Sequence, residues 1–485
     1  MPIPDPQTPT AESKRKPKAH PWRDNIEAIT VSIVIIVLFK YFVLEAYKIP
    51  TPSMQPTLMG WENPEGGGIF DRVLVDKLSF HYRDPERFEI AVFKYPLDRS
   101  KNFIKRIWGL PGEELEVRDG DVWVRETEAE EWHIPRRPEP MLEGVLKRLD
   151  SDGEWRKLAG DWDVEGDHIK ANGPGSVRFP RSNSSVMDGY ADGYPEGIRE
   201  IIAKNPARTP NGTNHVGDLR FDSELEARAN CSIVQVTLHE GTRSYSLRIP
   251  GPAAEPDAKP ELLIRESSPK VGSSANRIDD SDLQASEPFA LKAGDSVHLR
   301  AENLDDRVSL WLDDEEIFSV EIDAIRQVVL NRTGVSLETE GGGADFGEVE
   351  LHRDIYYTSN VRRAKWKLPE DGYVVLGDNT QNSSDSRDWS LTRWQLTGGE
   401  EQGHVIQGNE RDKENPRFGK DPDRGTLVFL HDEQGERHVF PQTQARRLAP
   451  ELMSYVPRSL IRGRAVLVVW PISPSLGVYR LKWVR

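Results

Sequence analysis

Residues 103–124 read FIKRIWGLPGEELEVRDGDVWV. Apolar and charged side chains alternate along Phe103–Trp108, the period-2 pattern of a strand with one face in a core. Glu113–Val124 holds two more short strands around Asp119-Gly120, a dipeptide suited to a tight hairpin turn. The alternation recurs upstream in DRVLVDKL, from Asp71, and IAVFKY, from Ile90. A second β-rich block runs from about Leu219 to Arg353 through SIVQVTLHE, YSLRIP, SVHLRAE, RVSLWLDDEEIFSVEI and GEVELHRDIYY, with Gly and Asp between the runs. This predicts a mainly β protein in which a sandwich-like domain is inserted into a first β domain.

Upstream the chain changes character. Residues 1–25 are Pro-rich and polar, with Lys14, Arg15, Lys16, Lys18 and Arg23, and read as a basic arm. Residues 26–47, IEAITVSIVIIVLFKYFVLEAY, form the long apolar segment. From Ile26 to Leu44, roughly 19 residues, it makes enough helix to span a bilayer, about 28 Å, if Lys40 reaches the interface. The arm before it places the N-terminus in the cytoplasm by the positive-inside rule. No small-x-small cleavage pattern follows, so the segment reads as an uncleaved anchor. The expected division is then 48–124 and 353–390 for the two parts of the first β domain, 125–218 a mixed insertion, and 219–352 the sandwich. Residues 391–454 read as a polar insertion and 455–485, with RGRAVLVVW, as a closing strand and tail.

The chain of 485 residues has a net charge of −16, which argues against a nucleic-acid partner. Its single cysteine, Cys231, excludes an internal disulfide and a multi-cysteine metal site.

Three short segments concentrate chemistry. In IPTPSMQPTL, from Ile49 to Leu58, prolines at 50, 52 and 56 hold the backbone extended around Ser53. In FIKRIWGLPGE, Lys105 and Arg106 are adjacent cations on a strand, so one must face the apolar side. A lysine forced there loses hydration, its pKa falls from about 10.4, and it becomes a feasible general base. The third, GDNTQNSSDSRDWS from Gly377 to Ser390, is dense in side chains that hydrogen-bond backbone and predicts a cross-linked loop.

Taken as a set and in this order, the anchor and the three segments resemble bacterial type I signal peptidases, or leader peptidases. DRVLVDK and the final VPRSLIRGRAVLVVW match the same pattern. The resemblance implies a serine endopeptidase with a Ser–Lys dyad, cutting leader peptides after small residues at the outer face of the cytoplasmic membrane. It implies Ser53 as nucleophile and Lys105 as general base. Thr51 and the Ser53 N–H would serve the oxyanion, and Ser383 would orient Lys105. Asp385 and Arg387 would pair to hold the loop, which also carries Asp378 and Asn379. Ile49, Pro50, Met54, Leu58, Phe103 and Ile104 would line apolar pockets for the substrate. The implied partners are signal peptides of secreted preproteins and the lipid bilayer, with an unidentified ligand for the inserted domain. No cofactor and no metal are implied. Ser390 departs from the pattern, which usually has Gly after the tryptophan. The rival from another class is an inactive tethered binding protein that uses the sandwich. It needs none of Ser53, Lys105 and Ser383.

Overall fold

The computed structural model describes residues 21–484 apart from 63–67, 150–153, 182–184, 190–193, 195–197, 199–211, 267–280, 286, 324–331, 360–364, 400, 411–414 and 474–477. Most of the basic arm, residues 1–20, lies outside the described residues.

Among the described residues, the first domain is built on an eight-stranded antiparallel sheet. Its order is Leu44–Lys48, Arg72–Asp76, Ile461–Trp470, Ile90–Tyr95, Asp98–Gly109, Gly372–Leu376 and Val456–Pro457, with Lys482–Trp483 against Ile461–Trp470. The late strand Ile461–Trp470 therefore sits between two early ones, paired with Arg72–Asp76 on one side and Ile90–Tyr95 on the other. That long-range closure knits the two ends of the chain into one sheet. Met54, Leu58, Val73, Val75, Ile90, Val92 and Val468 pack on one part of it. The hairpin expected at Asp119-Gly120 joins Glu114–Arg118 to Asp121–Arg125, and both turn residues have positive φ, 55° and 106°. These two strands form a small sheet with Lys365–Lys367.

The inserted domain is two facing sheets around one core that includes Phe221, Val236, Tyr245, Leu247 and Phe346. It reaches further back than 219. Gly175–Phe179 pairs with Gly334–Glu340, and His168–Ala171 pairs with Ala344–Arg353. The strands from Arg156 to Phe179 thus belong to the sandwich, and residues 125–218 are not one mixed segment. Their short alternating runs, such as SVRF, are masked in the sequence by the turns between them. The insertion opens and closes on a direct pair, Lys147 opposite Arg353. Residues 391–454 are also more structured than their polarity suggests. Strands such as Ser390–Leu396 and Gly425–His431 enclose Trp394, Leu396, Ile406, Val428, Leu430 and Phe440.

The N-terminal helix Pro21–Phe42 leaves its apolar side chains exposed, with Ile26 at 61%, Ile36 at 65% and Phe42 at 57%. Among the described residues no helix is long and apolar enough to cross a membrane.

Candidate active site

From the strand Leu44–Lys48 the chain runs extended to Thr51 (φ −117°, ψ 154°) and enters a single 3₁₀ turn, Pro52–Met54. Proline at the first position of such a turn forfeits no hydrogen bond, because that N–H has no partner inside the turn. Met54 is fully buried and Ser53 is 6% exposed, so the turn is anchored by one side chain and presents the next. Two features press it into place. At Gly60 a Cβ would stand 2.4 Å from the Thr51 carbonyl oxygen, so only glycine lets these backbones approach. Asp71 accepts the Met59 N–H at 2.8 Å and is itself gripped by Arg480 at 2.7 and 3.1 Å.

Lys105 comes from the strand Asp98–Gly109, where it lies opposite the small residue Ala91. Its amine is 2.6 Å from Ser53 Oγ and 3.0 Å from the Ile104 carbonyl oxygen. Burial pushes its pKa down to about 8, against the nearby charges of Asp385 and Asp378, which raise it. Arg106 takes the other face of the strand and is fully buried. It forms a two-bond pair with Asp378 (Nε–Oδ1 2.9 Å, Nη2–Oδ2 2.7 Å) and also donates to the Phe88 carbonyl. Burial alone would raise the Asp378 carboxyl, but Arg106 overrides it and holds it at about 2.

The loop after Gly372–Leu376 clamps the Ser53 turn from behind. The Asn379 N–H donates to the Ser53 carbonyl at 3.2 Å, and Asn379 Nδ2 donates to the Pro52 carbonyl at 3.1 Å. Asp385 accepts the Gly377 N–H at 2.9 Å and pairs with Arg387 at 2.7 and 2.8 Å. Arg387 donates in turn to the Thr358 carbonyl. The carboxyl of Asp385 is raised by burial and lowered more by Arg387, and stays below its ordinary range.

Beside these groups runs a groove of about 270 Å³, with Ile49, Pro50, Phe103 and Ile104 on its walls and Thr51, Ser53 and Lys105 at its polar end. Thr51 Oγ1 lies 3.4 Å from Ser53 Oγ. Met54 and Leu58, expected to line the substrate pockets, do not line this groove. Both are fully buried in the core behind it, Met54 at the end of the 3₁₀ turn and Leu58 one turn later, where its N–H donates to the Met54 carbonyl at 2.8 Å. Ser383 is also not where its expected role needs it. Its hydroxyl is buried on the Asp385 side, where it helps to hold that carboxyl low, and Lys105 bonds to Ser53 and Ile104 instead. Gln55, whose amide donates to the Gly60 carbonyl at 2.9 Å, and Gly60, Asp71, Gly377 and Arg480 support the site and were not singled out from sequence, and Arg106 was given no partner there. The one available signal was Arg106, the second of two neighbouring cations on a strand, which had to find a buried anion. Among the described residues Asp432, Glu436 and His438 are near enough to one another to hold a metal ion, and none of them lines the groove.

A family model described as signal peptidase, peptidase S26, matches residues 22–171. The probable signal peptidase I-2 of Synechocystis sp. is 37% identical over 135 residues, covering 27% of this chain and 57% of that protein. Signal peptidase I of Leptolyngbya laminosa is 37% identical over 146 residues, 28% of this chain and 67% of that one. The probable signal peptidase I-1 of Synechocystis sp. is 34% identical over 142 residues, with 27% and 68% covered. The chain thus spans between somewhat over half and two thirds of these relatives. Among solved structures a β-porphyranase from Bacteroides plebeius aligns at 10% identity over 45% of this chain and 94% of its own, with a TM-score of 0.25, too low to carry an argument.

Proposed function

The chain belongs to the signal peptidase family, peptidase S26, and we propose that it is a membrane-anchored leader peptidase that hydrolyses its substrates through a Ser53 acyl-enzyme. The observation that carries this reading is the buried contact of 2.6 Å between the Lys105 amine and Ser53 Oγ. In its neutral form Lys105 takes the hydroxyl proton as Oγ attacks the scissile carbonyl carbon. The carbonyl oxygen becomes an oxyanion, and the Ser53 N–H and the Thr51 hydroxyl are the donors at hand. Collapse expels the amine of the mature protein, which takes the proton from Lys105. Water then attacks the ester carbon and gives a proton to the neutral Lys105 amine, which passes it to Ser53 Oγ as the ester C–O bond breaks and the leader peptide is released.

The apolar walls Ile49, Pro50, Phe103 and Ile104 suit an extended peptide with small side chains at the cleavage point. Lys105 stays dry enough to remain a base because the groove is closed behind it by the clamped loop. We assign Ser383 a place in the wall behind the nucleophile and leave the orientation of Lys105 to the Ile104 carbonyl.

In this reading the apolar helix Pro21–Phe42 would supply the anchor, although it is not long and apolar enough for a full span by itself and the end of the expected 26–47 segment is the strand Leu44–Lys48. Isoleucine, valine and phenylalanine exposed around it would each cost roughly 1.5–3 kcal/mol in water. Its hydroxyls are already satisfied, Thr30 by the Ile26 carbonyl and Ser32 by the Ala28 carbonyl, as apolar surroundings demand. With the basic arm in the cytoplasm, the first domain lies on the outer face, where leader peptides emerge from the bilayer.

The test is cleavage of a model preprotein by the detergent-solubilised protein and by Ser53→Ala. Cleavage after a small residue by the wild type alone is expected. Cleavage that survives in Ser53→Ala would sink the assignment.

A further inference from the structure

Beneath the nucleophile's turn, where the inserted domain meets the catalytic sheet, lies a cavity of about 500 Å³. Pro56 and Thr57 form one wall, Arg148, Arg480 and Lys482 bring three cations to it, and Glu143 brings one carboxylate. The charges are unevenly spent. Arg480 is neutralised by Asp71 at 2.7 Å, and Arg148 pairs with Glu350 at 3.1 Å. The Lys482 amine has no hydrogen bond or ion pair among the described residues.

A second amine stands close behind. Lys147, the first residue of the inserted domain, is 3% exposed, and its Nζ has no hydrogen-bond partner. It lines a narrow crevice with Gln55, Asp188, Arg353, Asp378 and Asn379, where Asp188 is already taken up by the backbone N–H groups of Thr213 and Asn214 and by the Asn214 amide, and Pro56 belongs to both crevice and cavity. Arg106, Arg353 and Lys482 face Lys147 with like charge, while Arg106, Arg480 and Asp71 face Lys482. Asp378 is the carboxylate both amines feel, and it is already held by Arg106 through two bonds. Lys147 is thus withdrawn from water with no carboxylate of its own, and Lys482, half-buried, sets a second amine on the cavity wall. A buried unpaired charge is destabilising, and an anion brought to it recovers that free energy.

We propose that this junction is a binding site for a phosphate-bearing anion, held by Lys147 and Lys482. Phosphate suits two point-charge donors better than a single carboxylate does. The cavity is also larger than a bare phosphate requires, and Leu146, Trp483 and Val484 give it an apolar wall. A phospholipid headgroup or free phosphate would both satisfy the amines, and the apolar wall would add to the first. Because Lys147 and Arg148 belong to the insertion and Pro56 follows the nucleophile, the ligand would bridge the two domains.

The amines also set a pH dependence. Burial, against the pull of Asp378, brings Lys147 down to about 7, and burial with Arg480 brings Lys482 down to about 8. The anion binds the protonated forms, so affinity is full below these values and falls as pH rises from 6 to 9.

The experiment uses the full chain in neutral detergent, in a Ser53→Ala background so that binding is read independently of catalysis. The unfolding midpoint and tryptophan fluorescence are followed against inorganic phosphate, short-chain phosphatidylglycerol and short-chain phosphatidylcholine. Expected is a rise of several degrees with phosphate or phosphatidylglycerol, weaker at pH 9 than at pH 6. Response to both ligands identifies the phosphate group as the determinant, and response to phosphatidylglycerol alone identifies a lipid headgroup. Lys482→Met and Lys147→Met should each weaken binding at least ten-fold. Lys482→Met should still cleave a short peptide when Ser53 is restored. No response, an equal response to sodium chloride at the same ionic strength, or unchanged binding in Lys482→Met would overturn the proposal.

Discussion

At the scale of single residues, Lys105 is under two opposed demands. As the proposed general base it would have to be buried to lose its proton, and it would have to keep a hydrogen-bond partner to stay in place. Its contacts to Ser53 Oγ and the Ile104 carbonyl meet the second demand. A pKa of about 8 meets the first. The value of kcat/KM should therefore rise with pH through about 8, where the base becomes neutral. A profile that rises only near the free-lysine value, or falls above neutrality, would remove Lys105 from the mechanism. Ser53→Ala and Lys105→Ala should each lower kcat at least about 10³-fold, and the double variant should fall little further, because both act in one proton transfer. Stability gives an independent check. The folded pKa lies below the unfolded one, so between pH 8 and 10.5 the unfolded state binds more protons and stability grows with pH. Lys105→Met should then raise stability at pH 7 by roughly 2–3 kcal/mol and by much less near pH 10.5, measured by denaturant unfolding.

At the scale of elements, the decisive fit is between the nucleophile's turn and the loop behind it. Gly377 sits where a Cβ would meet Ser383 Oγ at 2.2 Å and the Ser53 carbonyl oxygen at 2.4 Å. Gly377→Ala should push the turn out of line, lowering kcat and destabilising the fold by about 1–3 kcal/mol. Unchanged turnover in this variant would show that the clamp is not tight. The Arg106–Asp378 pair fastens the same loop to the strand that carries Lys105. Removing one partner, as in Asp378→Ala, leaves the other charge buried and should cost about 3–5 kcal/mol in a denaturation measurement. Strand alternation and the Asp-Gly turn were legible in the sequence, because both follow from side-chain direction and local φ. The pairing partner of Arg106 was not, since nothing local links it to a residue so far along the chain.

At the scale of the whole molecule, the inserted sandwich has a core of its own and leaves the catalytic sheet by two adjacent strands. Lys147 and Arg353 are direct antiparallel partners, so their backbones stand only about 5 Å apart. A short Gly/Ser turn replacing 148–352 should close this gap and preserve cleavage of a short peptide. Cutting instead at 219–352 would strip partners from Gly175–Phe179 and His168–Ala171 and leave sheet edges open. Some loss of stability is expected even from the better cut, because Leu304 of the sandwich packs with Trp108, Leu115 and Val374 of the catalytic domain. Loss of peptide cleavage in a variant that still melts cooperatively would show that the insertion helps to shape the site.

What the sequence determined by itself is local and periodic: strands from alternation, an apolar helix from composition, and a serine held among prolines. The pattern of short segments was also enough to point to the family, because each keeps its residue types and order despite the insertions. What only the tertiary structure decided is which side chains meet. It gave the Ser53–Lys105 pair, which the resemblance had implied, its distance of 2.6 Å, brought Arg106 to Asp378, and withdrew Met54 and Leu58 into the core. It also joined the strands of 156–179 to a sandwich whose other strands come later in the chain. The physical reason is that strand pairing and burial are non-local. Sequence fixes the direction in which a side chain can point, but the sheet order decides what lies there when it does.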